Sequence, residues 1–327
     1  MQRREILPLV ITAAILIGIP ALVLGYEYVI RPAQSPYRVV RINASTPENG
    51  GFGPDAIRIN TGETVILRFA SRDVTHGVAI GPGLGVDLGQ IDPGHSEEVT
   101  LTFEEPGRYT YYCNTWCSND HWRMRGVIEV VDPAQPELVP SAQSDPVIEA
   151  LSAEGVDIDA VHETSHEPGS HNMDSDAGAR LLPALTVPAE LTDVTWLRTH
   201  TPNEVFDILR AANPDTPEED MLNAAAALWI EAVDQDRIAE ARSLYDKNCA
   251  ACHGTSGGGD GVATVVTDIE PTAFSDIAYM FGRRSDVLYA KIRRGGMGTD
   301  MPNWGTVFTP EETWGLVDYL WLLAFGQ

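Results

Sequence analysis

The segment "YYCNTWCSNDHWRM", Tyr111 to Met124, places Cys113, Cys117, His121 and Met124 in one short run of chain. A disulfide would use the two thiols and leave the imidazole and the thioether without a task. Zinc takes thiolate and imidazole but has little use for a thioether. Copper accepts all three, because thiolate and thioether are its soft ligands. The flanking sequence reads as strands. "SEEVTLTFEEPGRYTYYC" alternates apolar and polar residues on either side of Pro106-Gly107, and "AIRINTGETVILRFAS" does so about Thr61-Gly62. Short alternating runs broken by turn residues predict an all-β sandwich, which gathers distant loops at one end.

His76, in "SRDVTHGVAI", lies on such a loop and supplies the ligand the later cluster lacks. Two bridging thiolates with His76, His121 and Met124 make a set suited to two copper ions. The carbonyl of Thr115, midway between the cysteines, offers a last donor. A one-copper blue site would need one cysteine, not two. His95, in "DPGHSEE", reads as a solvated turn residue.

The second motif is "CAACH", Cys249 to His253. Cys-x-x-Cys-His attaches a c-type heme: the two cysteines form thioethers and the histidine binds iron. The motif ends a helical pattern, "QDRIAEARSLYDKNC", and not the βαβ unit that a thioredoxin-like site would want. Met301, in "GTDMPNW", and Met297, four residues earlier and without a following proline, are the candidate second axial ligands. Methionine ligation raises the heme potential. The chain has four cysteines, and both pairs are taken by these motifs, leaving none for a structural disulfide.

The formal net charge is −25, and two of the 22 basic residues are lysines. So much acid repels phosphates and argues against a nucleic-acid partner. It suits a basic redox donor or a salty medium. The uncharged stretch from Ile6 to Leu24 is long enough for a helix of about 28 Å, one hydrocarbon core. Arg3 and Arg4 precede it, which predicts a cytoplasmic amino end with everything after Gly25 outside. A cleaved signal peptide is the rival, but "LGYEYVIRP" offers a poor cleavage site, so a retained single-pass anchor is expected.

The expected organisation is an anchor at 1–28, the sandwich at 37–132, a flexible acidic linker at 133–188, a helical segment at 189–240 and an all-α domain at 241–327. The linker contains His162, His166, His171 and Met173, read either as a copper-capture tract or as a polar tether with chance histidines. "TPNEVFDILRAA" and "TPEEDMLNAAAALWIEAV" predict helices capped at Thr201 and Thr216 with Pro202 and Pro217 at the first position. They are similar to "SDVLYAKIRRGG" and "TPEETWGLVDYLWLLA" later in the chain. That similarity fits either a cytochrome fold without its heme motif or simply two capped amphipathic helices. Trp314, Tyr319 and Trp321 of the last helix read as core.

Residues 37–131 resemble the cupredoxin domain of heme-copper oxidase subunit II, which carries the dinuclear mixed-valence copper centre called CuA. "SRDVTH" and "CNTWCSNDHWRM" match every ligand position of that pattern. The resemblance implies that His76 and Met124 serve one copper, His121 and the Thr115 carbonyl the other, and Cys113 and Cys117 both. Thr115 stands where the family usually has Glu or Gln, and Ser118 where it usually has Gly. From Ala241 onward the chain resembles a class I cytochrome c. That resemblance implies ligation by His253 and Met301, with the Pro271 carbonyl steering the histidine.

Together these resemble the subunit II of cytochrome-fused oxidases in a prokaryotic plasma membrane. The implied role is electron transfer from heme c to CuA and on to a catalytic subunit I that reduces oxygen, with a cytochrome or other redox protein as donor. The single anchor also fits the CuA-bearing nitric oxide reductases. A stand-alone electron-transfer or copper protein is a further alternative. Nitrous oxide reductase is excluded because the chain has no room for its propeller domain.

Overall fold

The computed structural model describes residues 11–30, 35–137, 145–160 and 173–326. Helix α1, Ile11–Ile30, has a mean hydropathy of 1.9 and is long and apolar enough to cross a membrane. The part of the expected anchor before Ile11 lies outside the described residues.

Nine strands follow: β1 (Arg38–Ala44), β2 (Phe52–Gly53), β3 (Ala56–Asn60), β4 (Thr64–Ser71), β5 (His76–Gly81), β6 (Val86–Ile91), β7 (Ser96–Thr102), β8 (Gly107–Tyr112) and β9 (Arg125–Val131). They form two sheets, ordered β2-β1-β4-β7 and β3-β9-β8-β5-β6. β3 and β4 alternate buried and less buried residues along their whole length, as the sequence pattern requires of strands with one face on a core. The turns at Thr61-Gly62 and Pro106-Gly107 carry the chain from one sheet to the other and do not close hairpins. Between the sheets, Phe52, Phe69 and Tyr111 meet edge to face, with centroids 5.2–6.0 Å apart.

The helical region contains α2 (Pro146–Glu154), α3 (Ser175–Leu181), α4 (Val194–Arg198), α5 (Pro202–Ala212), α6 (Glu218–Glu231), α7 (Ile238–Asn248), α8 (Ala250–His253), α9 (Ile277–Phe281), α10 (Ser285–Arg294) and α11 (Pro310–Phe325). Thr201 and Thr309 close reciprocal capping boxes with Glu204 and Glu312. At the start of α6 the cap differs from expectation. Pro217 has extended backbone and occupies the capping position, so Thr216 makes no side-chain cap.

The linker expectation is corrected for 145–160 and 173–188. Asp145 and Asp174 cap α2 and α3 by accepting from Val147 N and Ala177 N. The first helix buries Leu151 in a small cluster with Ile158, Val287 and Ala290. Asp145 also takes the Arg293 guanidinium at 2.8 Å and the Tyr289 hydroxyl at 3.0 Å. α3 lies on α6, with Gly178 close against the Asn223 carbonyl. Met173 is buried in the main helical core. His162, His166 and His171 lie outside the described residues. That core runs from Met173 through Phe206, Trp229 and Tyr245 to Trp321 and Phe325. Residues 189–240 therefore share one core with the C-terminal helices. Trp314 packs against it and Tyr319 lies within it, as expected.

Candidate functional site

One end of the sandwich gathers the first set of donors. His76 opens β5, Cys113 follows β8, His121 begins a short 3-10 turn, and Met124 precedes β9. The ends of β8 and β9 are tied by Cys113 N donating to Met124 O at 3.1 Å. A Cβ on Gly77 would fall 2.0 Å from Asn114 Oδ1 and 2.5 Å from Thr115 Oγ1, so the copper-type loop closes over β5 only because that residue is glycine.

The donor atoms form a continuous set. His76 Nδ1 lies 4.0 Å from Cys113 Sγ, the two sulfurs are 3.9 Å apart, and Cys117 Sγ lies 3.6 Å from His121 Nδ1 and 3.9 Å from Met124 Sδ. The Thr115 carbonyl is 3.2 Å from Cys113 Sγ. All six expected residues are thus brought together. His76 is fully buried, and Cys113, His121 and Met124 are nearly so. His76 turns Nε2 outward to Asp73 Oδ1 at 2.8 Å, which leaves Nδ1 facing the thiols. Asp73 is a residue that the sequence reading gave no role. Its signal was its place three residues before His76.

Burial opposes charge on His76, but hydrogen bonding and attraction from Cys117 and Asp73 outweigh it and raise its pKa. The contact with Cys117 lowers the Cys113 pKa, and the same contact pushes Cys117 up to about 11. One thiol thus supports the other as thiolate, the form that binds metal. Soft sulfurs, two imidazoles and a carbonyl at these separations fit copper.

The second site lies in the helical region. Cys249 ends α7, and α8 carries Cys252 and His253. All four cysteines are free thiols. Burial raises both thiols of this motif, Cys249 to about 12. His253 Nδ1 donates to the Thr272 carbonyl at 2.9 Å, and its ring stacks on Phe274 at 4.6 Å. The carbonyl that steers the histidine therefore belongs to Thr272 and not to Pro271, one residue along. Burial lowers the His253 pKa and keeps the imidazole neutral, so Nε2 is available as a ligand.

Met301 is partly buried against the helical core. Its N–H donates to Thr299 Oγ1 at 3.1 Å, and its carbonyl accepts from Gly296 N at 3.1 Å. Met297 is 73% exposed. The arrangement fits a heme c held by Cys249, Cys252 and His253.

Residues 236–320 match the family model described as cytochrome C oxidase, cbb3-type, subunit III. The helical C-terminal region thus contains a cytochrome c domain. No curated protein matches the chain. Among solved structures, a heme-copper terminal oxidase dimer is similar at 23% identity, covering 39% of this chain and all of that one, with a TM-score of 0.26. The periplasmic domain of subunit II of the Bradyrhizobium japonicum cytochrome oxidase is similar at 17% identity over 30% of this chain and 86% of that one, with a TM-score of 0.25. Auracyanin B gives 17% identity, 30% and 91% coverage, and a TM-score of 0.23.

Proposed function

We propose that the chain is the electron-entry subunit of a membrane heme-copper terminal oxidase. In this reading a heme c at Cys249, Cys252, His253 and Met301 passes electrons to a dinuclear copper centre. His76, Cys113, the Thr115 carbonyl, Cys117, His121 and Met124 hold that centre. The electrons leave to a catalytic subunit on another chain that reduces oxygen. α1 anchors the chain in a prokaryotic plasma membrane, with the sandwich and helices on the outer side.

The observation that carries the reading is the convergence of two thiols, two imidazoles and a thioether at the end of the sandwich. When bound, both groups are one-electron carriers. The protein's part is to keep their ligands from moving. Asp73 fixes the ring of His76, Thr272 that of His253, and Thr299 with Gly296 the backbone of Met301. Rigid ligands keep the rearrangement on gaining or losing an electron small.

The test is purification of the intact chain from detergent-solubilised native membranes. Co-purification with a membrane subunit that consumes oxygen is expected. Recovery with a partner that turns over nitric oxide but not oxygen, or recovery of the chain alone, would overturn the assignment.

A further inference from the structure

The two ligand loops touch each other. Arg125 directly follows Met124, and its Nη1 donates to the Asn303 carbonyl at 2.6 Å, two residues beyond Met301. The same guanidinium lies over the Trp304 indole, 4.6 Å from the ring centre. Tyr112, which directly precedes Cys113, meets Trp304 edge-on at 6.4 Å. The chain neighbours of two copper-type ligands therefore converge on the loop that carries the heme-type methionine. Trp304 is itself fixed: it is 7% exposed, stacks on Phe308 at 5.2 Å, and donates its backbone N–H to Ile292 O at 3.2 Å.

A second link runs parallel to the first. Asp87 on β6 accepts from Asn114, the residue after Cys113, at 3.2 Å, and from Lys247, two residues before Cys249, at 2.6 Å. The sandwich and helical backbones also approach directly at Gly81 and Val307. A Cβ on Gly81 would lie 2.1 Å from the Val307 carbonyl oxygen. The Arg125 guanidinium is a cation at neutral pH. Its Nη2 is buried with no hydrogen-bond partner among the described residues, and the indole face offsets part of that cost.

We propose that Arg125 and Trp304 form a fixed bridge holding the heme-ligating loop against the copper-ligating loop, so that electrons cross between the centres through this contact and not by transient docking of the cytochrome domain. The inference rests on the proposed function. The transfer moves one electron from reduced heme to the oxidised copper pair, with no proton and no bond made or broken. From Met301 to Met124 the route is covalent except for one hydrogen bond, Arg125 to Asn303. Arg125 is a positioning residue in this account, and its charge has a separate effect. A buried cation beside both loops favours the reduced state of each centre.

The experiment uses the full chain in detergent, loaded with copper and heme, with an electron delivered to the heme by a photoexcited ruthenium complex. Trp304→Leu should slow heme-to-copper transfer about tenfold or more through loss of a positioned contact, while Trp304→Phe should retain most of the rate. Arg125→Gln should slow transfer and lower both midpoint potentials. Arg125→Lys should slow transfer with the potentials kept, because lysine keeps the charge but not the planar fork. Gly81→Ala, which touches no ligand, should slow transfer by parting the backbones.

The chain without cofactors gives an independent readout. Its sandwich and helical region should melt together, and Arg125→Gln with Trp304→Leu should separate the two transitions. If both centres form with unaltered spectra and no variant changes the rate, the bridge is wrong and the proposed function stands. If the chain takes up no copper or no heme, both are overturned.

Discussion

At the end of the sandwich, five donor atoms, four from the run Cys113–Met124 and one from His76, meet with neighbours 3.6–4.0 Å apart. In the helical region, His253 and Met301 are each fixed separately, the first by the Thr272 carbonyl and the second by Thr299 and Gly296. The first site is collective: each thiol changes the protonation of its neighbour, and β5, β8 and β9 must all be in register to form it. The second is modular, with local hydrogen bonds presenting each ligand. The difference predicts all-or-none responses at the copper-type site and one-at-a-time responses at the heme-type site.

The largest expected effect is at the collective site. Cys113→Ser or Cys117→Ser should abolish the two-copper centre entirely, read as copper per chain and as the visible spectrum. Retention of half the copper with a normal spectrum would show that the sulfurs act independently.

At the modular site, Met301→Leu should leave heme attached and remove the methionine-ligated signature, while Met297→Leu should change neither. Met301→His should lower the heme potential, because imidazole favours ferric iron more than thioether does. The reverse pattern between the two leucine variants would exchange the ligand assignment.

A smaller effect is expected where the linker is docked. Asp145 both caps α2 and pairs with a largely buried Arg293. Asp145→Ala should cost about 3 kcal/mol of local stability by leaving that guanidinium uncompensated. Limited proteolysis between 145 and 160 should then precede cleavage elsewhere in the helical region. Unchanged cleavage would return this segment to a loose tether.

The smallest effect concerns pH. Burial raises Asp318 on α11 from its ordinary 3.8 to about 6. The folded chain therefore holds this proton between those values, where the unfolded chain has released it. Its contribution is fully present below pH 3.8 and lost as pH rises through about 6. Asp318→Asn should stabilise the helical region by about 2 kcal/mol at pH 7, less whatever solvent screening removes. The gain should vanish by pH 4. A pH-independent change in melting temperature would contradict this.

The sandwich was legible because alternation with a period of two is written into side chains, as in Ile57, Ile59, Val65, Leu67 and Phe69. The ligands were legible because soft donors at motif spacing have few other uses. What stayed hidden depended on backbone or on distant contacts. Any residue has a carbonyl, so the family resemblance pointed to Pro271 where the bond is made by Thr272. The helices at 146–154 and 175–181 bury few apolar residues beneath a polar composition, and nothing local marks Arg293 or Asn223 as their partners. The contact of Arg125 with Asn303 joins residues that belong to separate motifs.

The most direct test of the central claim is the metal content of the full-length chain. Quantitative metal analysis, with copper X-ray absorption on the same sample, should give two coppers per chain, each with sulfur and imidazole ligands and a short copper–copper vector, beside one covalent heme. Full occupancy at one copper per chain, with no copper–copper vector, would contradict it.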